Sequence, residues 1–384
     1  MSNQHWPLVP LGNVLTRNDR LVTLLPDQQY REVTIRLWGK GVVLRQIING
    51  VDIASQRRSQ VSQDQFIISR IDARNGAMVL VPAELDGAVV TNDFPTFNIN
   101  RERLIPTFLG WLCRTASFVD TCRSASEGTT NRVRLKEDRF MKQEIRLPPL
   151  KEQQRIVGRI DSLVSKIEEA RRLSVESSIS TNQLTRSRFS SIIAGVPRKR
   201  MIEVAPLVRR KVEPQMGEEY PELGIRSFGR GSFHKPSLDY LSVGTKKLYR
   251  IEPGDLVFNN VFAWEGAIAV AKPEDQGRVG SHRFITCVSL DRVVTAEFLC
   301  FYFLTPEGIE KIGEASPGGA GRNRTLGIEK LAHIEVPVPE YRHQLHFGYV
   351  LGKIQEVREA RDLNIARLNA MLPSILDSAF KGAL

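Results

Sequence analysis

The feature of this sequence that most constrains its fold is an internal repeat. A motif of Tyr, Glu, Ile, Arg and Gly at positions 30–41 recurs at positions 220–231, an offset of 220 − 30 = 190 residues. Near the ends of the two halves, Glu-Ala-Arg-x-Leu at 169–173 recurs at 359–363 with the same offset. This period is far longer than the roughly 20–50 residues of a solenoid repeat. The chain of 384 residues is therefore two copies of one module.

Each copy begins with a globular part. Short apolar runs separated by Gly and Pro predict strands there. The runs lie at 65–69, 77–81 and 87–90 in the first copy, and at 255–258, 267–271 and 284–290 in the second. A helix is predicted to follow them in each copy, over 103–122 and 295–313.

A long helical part follows each globular part. Residues 150–194 contain no proline and one glycine, and their apolar residues have the spacing of coiled-coil a and d positions. This stripe consists of Ile156, Ile160, Leu163, Ile167 and Ala170. The stripe in the second copy consists of Phe347, Leu351, Ile354, Ile365, Leu368, Leu372, Ile375 and Ala379. Pro373 interrupts the second stripe and predicts a kink there, or the end of a helical segment.

These patterns predict an α+β fold with two mixed α/β domains and two long helices. The expected boundaries are 1–147 for the first globular domain, 148–195 for the first helix, 196–336 for the second domain and 337–384 for the second helix. A lone amphipathic helix is marginal in water, so the two helices are expected to pack antiparallel and coiled-coil-like, with pseudo-twofold symmetry. The alternative is that each helix packs on its own domain or on another subunit.

Charge narrows the class of function. The formal net charge is +11, and 39 of the 54 basic residues are arginine. Such an excess is typical of nucleic-acid binding, although arginine also pairs with carboxylates on ordinary surfaces. A hydrophobic content of 41% excludes a disordered chain, and no apolar run is long enough to span a membrane. The sequence does not start like a secretion signal, so the four cysteines are expected to be reduced thiols of a cytoplasmic protein.

The sequence lacks the motifs of the common nucleic-acid enzymes. It contains no GxxxxGK[ST] phosphate loop, no Asp or Glu two positions before a lysine, no Asn-Pro-Pro-aromatic tetrapeptide and no GxSxG elbow. His343 and His346 could share a helix face, but no Cys or carboxylate cluster accompanies them, so no metal site is predicted. The sequence therefore favours a binding protein over an enzyme.

The junction between the first globular part and its helix carries a family resemblance. Residues 145–157, Ile-Arg-Leu-Pro-Pro-Leu-Lys-Glu-Gln-Gln-Arg-Ile-Val, closely resemble the junction of type I restriction-modification specificity subunits. Trp6 with residues 11–14 resembles the family's opening, and residues 126–132 and 317–322 resemble its Gly-rich loops. The two-copy plan also matches and covers essentially the whole chain. The second junction, 336–344, departs from the pattern because it lacks the Glu-Gln pair.

The resemblance implies a DNA-reading subunit without catalysis of its own. Each globular domain would be a target recognition domain that reads one half of a split DNA site. The helices would bind two methyltransferase subunits, which use S-adenosylmethionine to methylate adenine, and motor-nuclease subunits would join in complexes that restrict. No cofactor is expected on this chain itself. The helices would act as a ruler between the two half-sites, so inserting a helical turn should lengthen the unread spacer.

The loops expected to read DNA differ between the copies. Residues 69–75 align with 259–265, and residues 91–93 align with 281–283, with little identity in either pair. Identical readers would favour a palindromic site, so divergent readers predict an asymmetric one. Arg36 and Arg226 occupy equivalent positions, which favours a shared structural or phosphate role for both.

Residue type predicts the individual DNA contacts, because Arg, Asn and Gln bind base edges and Lys binds phosphate. The candidates are Lys40, Arg45, Arg57, Arg58, Arg70, Arg74, Asn92, Arg132 and Arg134 in the first domain, and Arg230, His234, Lys235, Asn259, Asn260, Trp264, His282, Arg283, Arg322 and Arg324 in the second. For each arginine, a solvated surface position or a salt bridge within the domain is an alternative at least as favoured, and Trp264 could equally belong to the core. The junction and partner-helix candidates are Pro148, Pro149, Leu150, Glu152, Gln153, Ile156, Ile160, Leu163 and Ile167.

Two other functions remain open from the sequence. One is a stand-alone DNA-binding regulator or architectural protein. The other is a methyltransferase or nuclease whose site is not recognisable in the sequence.

Overall fold

The computed structural model describes residues 6–53, 58–128, 133–318 and 324–381. The chain divides into two compact units. The first unit contains residues 1–175 and 362–384, and the second contains residues 176–361. Each unit therefore holds one globular domain together with parts of both long helices.

The first unit contains two sheets of four and five strands. Its strands are β1 Leu8–Pro10, β2 Leu15–Arg17, β3 Leu21–Val22, β4 Gln29–Ile35, β5 Val42–Asn49, β6 Arg58–Gln60, β7 Phe66–Ile68, β8 Met78–Leu80, β9 Val89–Val90, β10 Thr96–Ile99, β11 Ser126–Glu127, β12 Arg134–Leu135 and β13 Glu144–Arg146. The helices are α1 Pro106–Leu112, α2 Ala116–Ser124, α3 Glu137–Lys142 and α4 Leu150–Ile193, which continues into the second unit. The five-stranded sheet has the order β3-β6-β9-β4-β5 and the four-stranded sheet the order β2-β10-β7-β8. β1 pairs with β13 and β11 with β12.

The second unit repeats this topology. Its strands are β14 Arg198–Arg200, β15 Leu207–Val208, β16 Lys211–Val212, β17 Glu219–Ile225, β18 Ser232–Asp239, β19 Leu248–Arg250, β20 Leu256–Asn259, β21 Ile268–Val270, β22 Val279–Ser281, β23 Phe284–Cys287 and β24 Glu335–Pro337. Its helices are α5 Met201–Val204, α6 Tyr240–Val243, α7 Ala296–Phe303, α8 Pro306–Glu314, α9 Ile328–His333 and α10 Tyr341–Phe380, which continues into the first unit. The sheet orders are β16-β19-β22-β17-β18 and β15-β23-β20-β21, with β14 paired to β24. The predicted mixed α/β repeat is confirmed, although the β11–β12 pair has no counterpart among the described residues of the second unit.

The predicted single helix after the strands is wrong in both copies, because each is two short helices. Thr115 separates α1 from α2 and accepts a hydrogen bond from the amide of Phe118 at 3.3 Å. Thr305 separates α7 from α8 in the same way, and its hydroxyl accepts the amide of Gly308 at 3.2 Å. The capping threonine has a non-helical backbone conformation, so the preceding helix ends before it. This threonine is a local signal that is present in the sequence.

Pro373 does not end a helical segment, because α10 runs through it from Tyr341 to Phe380. Proline cannot donate the hydrogen bond to the carbonyl four residues earlier. Packing offsets this loss, since Leu376 is buried in the core of the first unit and Leu372 and Ile375 pack against it. Over the described residues, no helix is both long and apolar enough to cross a membrane.

The core of each unit takes residues from both long helices. In the first unit, Ile156 and Ile160 of α4 belong to the same buried cluster as Leu376 and Ala379 of α10. The start of one helix therefore lies beside the end of the other, which is the expected antiparallel arrangement. In the second unit, Phe189 at the end of α4 packs on Phe347 at the start of α10, with ring centroids 5.2 Å apart. The helices also pack on the globular domains, so both packing alternatives considered from the sequence contribute.

Candidate nucleic-acid interface

The expected reading loop of the second domain is a tight turn after β20. The amides of Glu265 and Ala267 both donate to the carbonyl of Phe262, at 3.0 Å each. The turn ends at Gly266, whose φ of +78° is in the left-handed region. A Cβ there would lie 3.4 Å from the backbone of Phe228, so glycine lets the tip of the β17–β18 hairpin dock on the turn. The same docking occurs in the first domain between Trp38 and the turn at 73–76.

This turn borders a cleft of about 520 Å³ in the second domain. The residues that line it, called here the second-domain cleft, are Glu222, Lys235, Lys246, Asn259, Val261, Phe262, Ser281, His282, Arg283 and Phe284. Four predicted DNA contacts are among them: Lys235, Asn259, His282 and Arg283. The fold therefore collects residues from five separate parts of the sequence around one opening.

Two predicted contacts of the second domain are held by carboxylates within it. Lys235 Nζ lies 3.1 Å from Glu222 Oε1, and His234 Nε2 lies 2.9 Å from Asp275 Oδ1. Burial alone would raise the pKa of Asp275. Hydrogen bonds from the amide of Lys272, from His234 and from Ser232 outweigh burial, so the pKa lies below the usual value of an aspartate. Both side chains therefore make contacts within the domain, of the kind considered from the sequence as an alternative for the arginines.

The other basic residues of the cleft have no such neighbours. Lys246, His282 and Arg283 are exposed, and within the described ranges none of them forms an ion pair with a carboxylate. Phe262, whose exposed fraction is 39%, supplies an aromatic surface beside them. Cations together with an exposed aromatic ring form a surface that suits phosphate and base contacts.

Four further predicted contacts interact with nearby residues of the domain or are buried in it. Trp264 donates its indole Nε1–H to the carbonyl of Val261 at 2.9 Å and packs against the core. The guanidinium of Arg324 lies over the Trp264 ring, 5.6 Å from its centroid, and that of Arg230 lies 5.8 Å from the ring of Phe228. Oδ1 of Asn260 is buried and accepts no hydrogen bond within the described part of the chain.

In the first domain, the equivalent region is dominated by ion pairs. Arg70 and Arg17 both bind Glu137, each through its Nε at 2.9 Å. Arg134 Nη1 lies 3.0 Å from Asp93 Oδ1. Positive and negative side chains therefore neutralise one another at this face.

The remaining first-domain candidates divide into two groups. Arg58 lies 3.1 Å and Arg45 3.9 Å from the carboxylate of buried Glu32, which is equivalent to Glu222. Lys40 and Asn92 are exposed, and Arg74 is half-buried in the turn at 73–75. Arg57, Arg132 and Arg322 lie outside the described residues.

Reasoning from sequence missed Lys246 and gave Phe262 no role of its own. Lys246 follows Gly244 and Thr245 in a basic turn, Gly-Thr-Lys-Lys, and this local signal could have been found. Phe262 aligns with Asp72 of the first copy, which marks it as a site of divergence between the two readers.

The junction motif builds a buried polar anchor rather than an exposed surface. Gln153 is fully buried, and its Oε1 accepts the amide of Ile105 at 2.8 Å. Its Nε2 donates to the carbonyls of Arg103 and Pro148, both at 2.8 Å. The side-chain amide thus ties the start of α4 to the segment that precedes α1.

The second junction keeps this anchor, which corrects the view that it lacks the whole Glu-Gln pair. Gln344 is also fully buried. Its Oε1 accepts the amide of Thr295 at 2.9 Å, and its Nε2 donates to Val293 and Pro339. Only the glutamate is lost, since His343 stands where Glu152 does. Glu152 is partly exposed and pairs with Arg155, and the hydrogen bond from Arg155 lowers its pKa.

The junction candidates differ in exposure. Pro148, Gln153, Ile156, Ile160 and Ile167 are buried, Leu150, Glu152 and Leu163 are partly buried, and Pro149 is exposed. Most of them therefore pack within the first unit. Large apolar side chains that are exposed on the two long helices are Leu173, Val175, Ile179 and Leu184 of α4, and Leu345, Tyr349, Val357, Leu363 and Met371 of α10.

Within the described ranges, no group of three or more His, Cys, Asp or Glu side chains is placed to hold a metal ion.

The chain is similar to one protein-family model and to several solved structures. Residues 39–177 match the model of the type I restriction modification DNA specificity domain. The whole chain is similar to the crystal structure of the HsdS subunit from Thermoanaerobacter tengcongensis, with a TM-score of 0.64, 23% identity, and 99% of this chain and 97% of that chain covered. A structure described as showing complex assembly and conformational transition of the type I R-M system matches with a TM-score of 0.70, 21% identity, and coverage of 99% and 98%. Among curated protein sequences, none matches this chain significantly.

Proposed function

We propose that this chain is the DNA sequence-specificity subunit of a type I restriction-modification system, because residues 39–177 match the model of the type I restriction modification DNA specificity domain. The matched range includes the junction at 145–157 that carries the resemblance predicted from the sequence. The observation that carries the proposal is the second copy of the same topology, which gives one chain two DNA-reading domains. Each domain reads one half of a split site.

The divergence of the two reading faces supports an asymmetric site. Asp72 and Asp93 in the first domain correspond to Phe262 and Arg283 in the second, on the same backbone frame. Domains that present different chemistry to DNA read different bases. The two half-sites are therefore unlike in sequence, with an unread spacer between them.

The partners of this chain are two methyltransferase subunits, bound through the long helices. The exposed apolar side chains of α4 and α10, such as Leu184 (72% exposed) and Tyr349 (65%), support this assignment. Exposed apolar residues along a helix are typical of a surface that another protein covers. The methyltransferase subunits carry S-adenosylmethionine and modify adenine, and motor-nuclease subunits join where the system restricts.

This chain contributes recognition and no chemistry. We test that division by purifying the chain alone and together with a co-expressed type I methyltransferase subunit, then supplying radiolabelled S-adenosylmethionine and plasmid DNA. Label is expected in DNA only with the complex. Methylation or cleavage by the chain alone would instead establish an enzyme, and a chain that stays alone on size exclusion would be a stand-alone regulator.

A further inference from the structure

The two reading faces share a backbone frame, so their side chains can be compared position by position. The amide of Arg70 donates to the carbonyl of Asp93 at 2.9 Å, and the amide of Asn260 donates to that of Arg283 at 2.8 Å. Positions 93 and 283 are therefore equivalent, and 283 − 93 = 190. At this position the acidic side chain of Asp93 in the first domain is replaced by the basic side chain of Arg283 in the second.

Acids at two other positions of the frame are also absent from the second domain. In the first domain, the amides of Asn75 and Ala77 donate to the carbonyl of Asp72. In the second domain, the amides of Glu265 and Ala267 donate to the carbonyl of Phe262 in the same way. Phe262 therefore occupies the position of Asp72. Glu137, which binds Arg17 and Arg70, is the first residue of α3. The first residue of the equivalent helix α9 is Ile328, so an apolar residue replaces this acid. Glu137 and Asp93, the two carboxylates that hold arginines at the first face, are therefore both replaced in the second, as is Asp72.

Apart from Lys235, the basic side chains of the second-domain cleft form no ion pair with a carboxylate among the described residues. Lys246, His282 and Arg283 line one opening together with the hydroxyl of Ser281, and Glu222 of that lining is occupied by Lys235 at 3.1 Å. In the first domain, Asn92 stands in place of His282, and Asp93 holds Arg134 at 3.0 Å.

We propose that Lys246, His282 and Arg283 form a phosphate-binding site for the DNA backbone that has no equivalent among the described residues of the first domain. At the described positions, the two domains then contribute unequally to phosphate binding. The second domain supplies sequence-independent affinity through phosphate contacts at this site, whereas the arginines of the first domain that are bound to Glu137 and Asp93 supply little. This inference rests on the proposed function, because it assumes that both faces meet DNA.

The test uses salt dependence, which counts phosphate contacts without knowledge of the recognised bases. We measure binding of the full chain to a fluorescent mixed-sequence duplex by anisotropy between 50 and 200 mM NaCl. The variants are Arg283→Gln, Lys246→Gln and Arg134→Gln. The control is Arg292→Gln, because Arg292 is 87% exposed in the side chain and lies beyond the far end of β23 from the cleft.

Affinity for DNA falls as salt rises, and each phosphate contact makes the plot of log affinity against log salt steeper by about 0.9. A variant that has lost one contact therefore loses about 3.5-fold less affinity than the wild type between 50 and 200 mM NaCl. Arg283→Gln and Lys246→Gln are each expected to show this change, and Arg134→Gln less than half of it. Asp93→Asn, which releases Arg134, is expected to steepen the slope.

Two failures are distinguishable. A wild-type chain that does not bind the duplex at 50 mM NaCl contradicts the proposed function together with this inference. A chain that binds but whose slope changes as much with Arg134→Gln or Arg292→Gln as with Arg283→Gln contradicts the inference alone. The thermal unfolding midpoint of each variant is measured as a control. A midpoint equal to that of the wild type shows that the change in slope does not come from a loss of folding.

Discussion

The ring of Phe189, near the end of α4, packs against the ring of Phe298 in the second domain with centroids 5.1 Å apart. The first unit repeats this contact, since Phe380 near the end of α10 lies 5.2 Å from Phe108. Each globular domain is thus closed by the last turns of one long helix and the first turns of the other. The helices are part of both cores rather than a linker between them.

Removing these rings tests whether helix ends hold the domains. Phe189→Ala is expected to lower the free energy of unfolding of the second unit by about 3–5 kcal/mol, because Phe189 is fully buried and truncation leaves a cavity. Phe380→Ala is expected to cost less, since Phe380 is only partly buried. Denaturant unfolding measures both. Leu184→Ala, on the same helix as Phe189 but 72% exposed, should change stability by less than about 0.5 kcal/mol; a cost equal to that of Phe189→Ala would contradict this account.

The buried glutamines give a second prediction. Gln153→Ala leaves the amide of Ile105 and the carbonyls of Arg103 and Pro148 without their partner, and each unsatisfied buried group costs about 1–3 kcal/mol. Gln344→Ala is expected to have a similar effect in the second unit. Glu152→Gln, one residue away and partly exposed, is the matched control and should be nearly neutral. A larger cost at Glu152 than at Gln153 would show that the glutamate, rather than the buried amide, anchors the junction.

Cysteine reactivity follows from burial. Desolvation raises the pKa of Cys113, Cys287 and Cys300 to about 12, and raises that of Cys122 as well. Thiolate is the reactive form, so the native chain should resist alkylation by iodoacetamide at pH 8, while the unfolded chain takes up four equivalents. Mass spectrometry measures the uptake. Rapid labelling of the folded chain at any of these positions would mean that its core opens readily.

Acid sensitivity follows from Asp275. Its pKa is lower in the folded state than in the unfolded chain, so ionised Asp275 stabilises the fold at neutral pH, and this contribution is lost as the pH falls through the folded pKa. The wild type should therefore be more stable than Asp275→Asn at pH 7, and the difference should shrink below about pH 4. Denaturant unfolding of both proteins from pH 7 to 3 measures it. A difference that is constant with pH would show that the carboxylate charge contributes nothing.

Periodicity predicts the long elements of this fold well. The stripe from Ile156 to Ala170 identifies α4, and the offset of 190 identifies the repeated sheets before any contact is known. The bounds of the shorter helices depend instead on local capping residues. Thr115 and Thr305 each divide one predicted helix into two. The offset itself becomes 191 at the second junction, because Gln344 corresponds to Gln153 and the Gly-rich loop is one residue longer in the second copy.

The candidate site was harder to predict than the fold. Residue type selected Arg70 and Arg134, but their partners Glu137 and Asp93 are separated from them by 67 and 41 residues. Sequence alone does not reveal which acid meets which arginine. The arginines that remain available to DNA are therefore identified only when the strands bring acids and bases together.

The central claim is that one chain reads two unlike half-sites for a methyltransferase. Single-molecule sequencing of genomic DNA from cells that express this chain with its methyltransferase subunit maps every modified adenine. The account predicts one split motif with two different half-sites, a spacer of fixed length and modification that disappears when this chain is deleted. A continuous motif, a palindromic motif or modification that persists without this chain would contradict it.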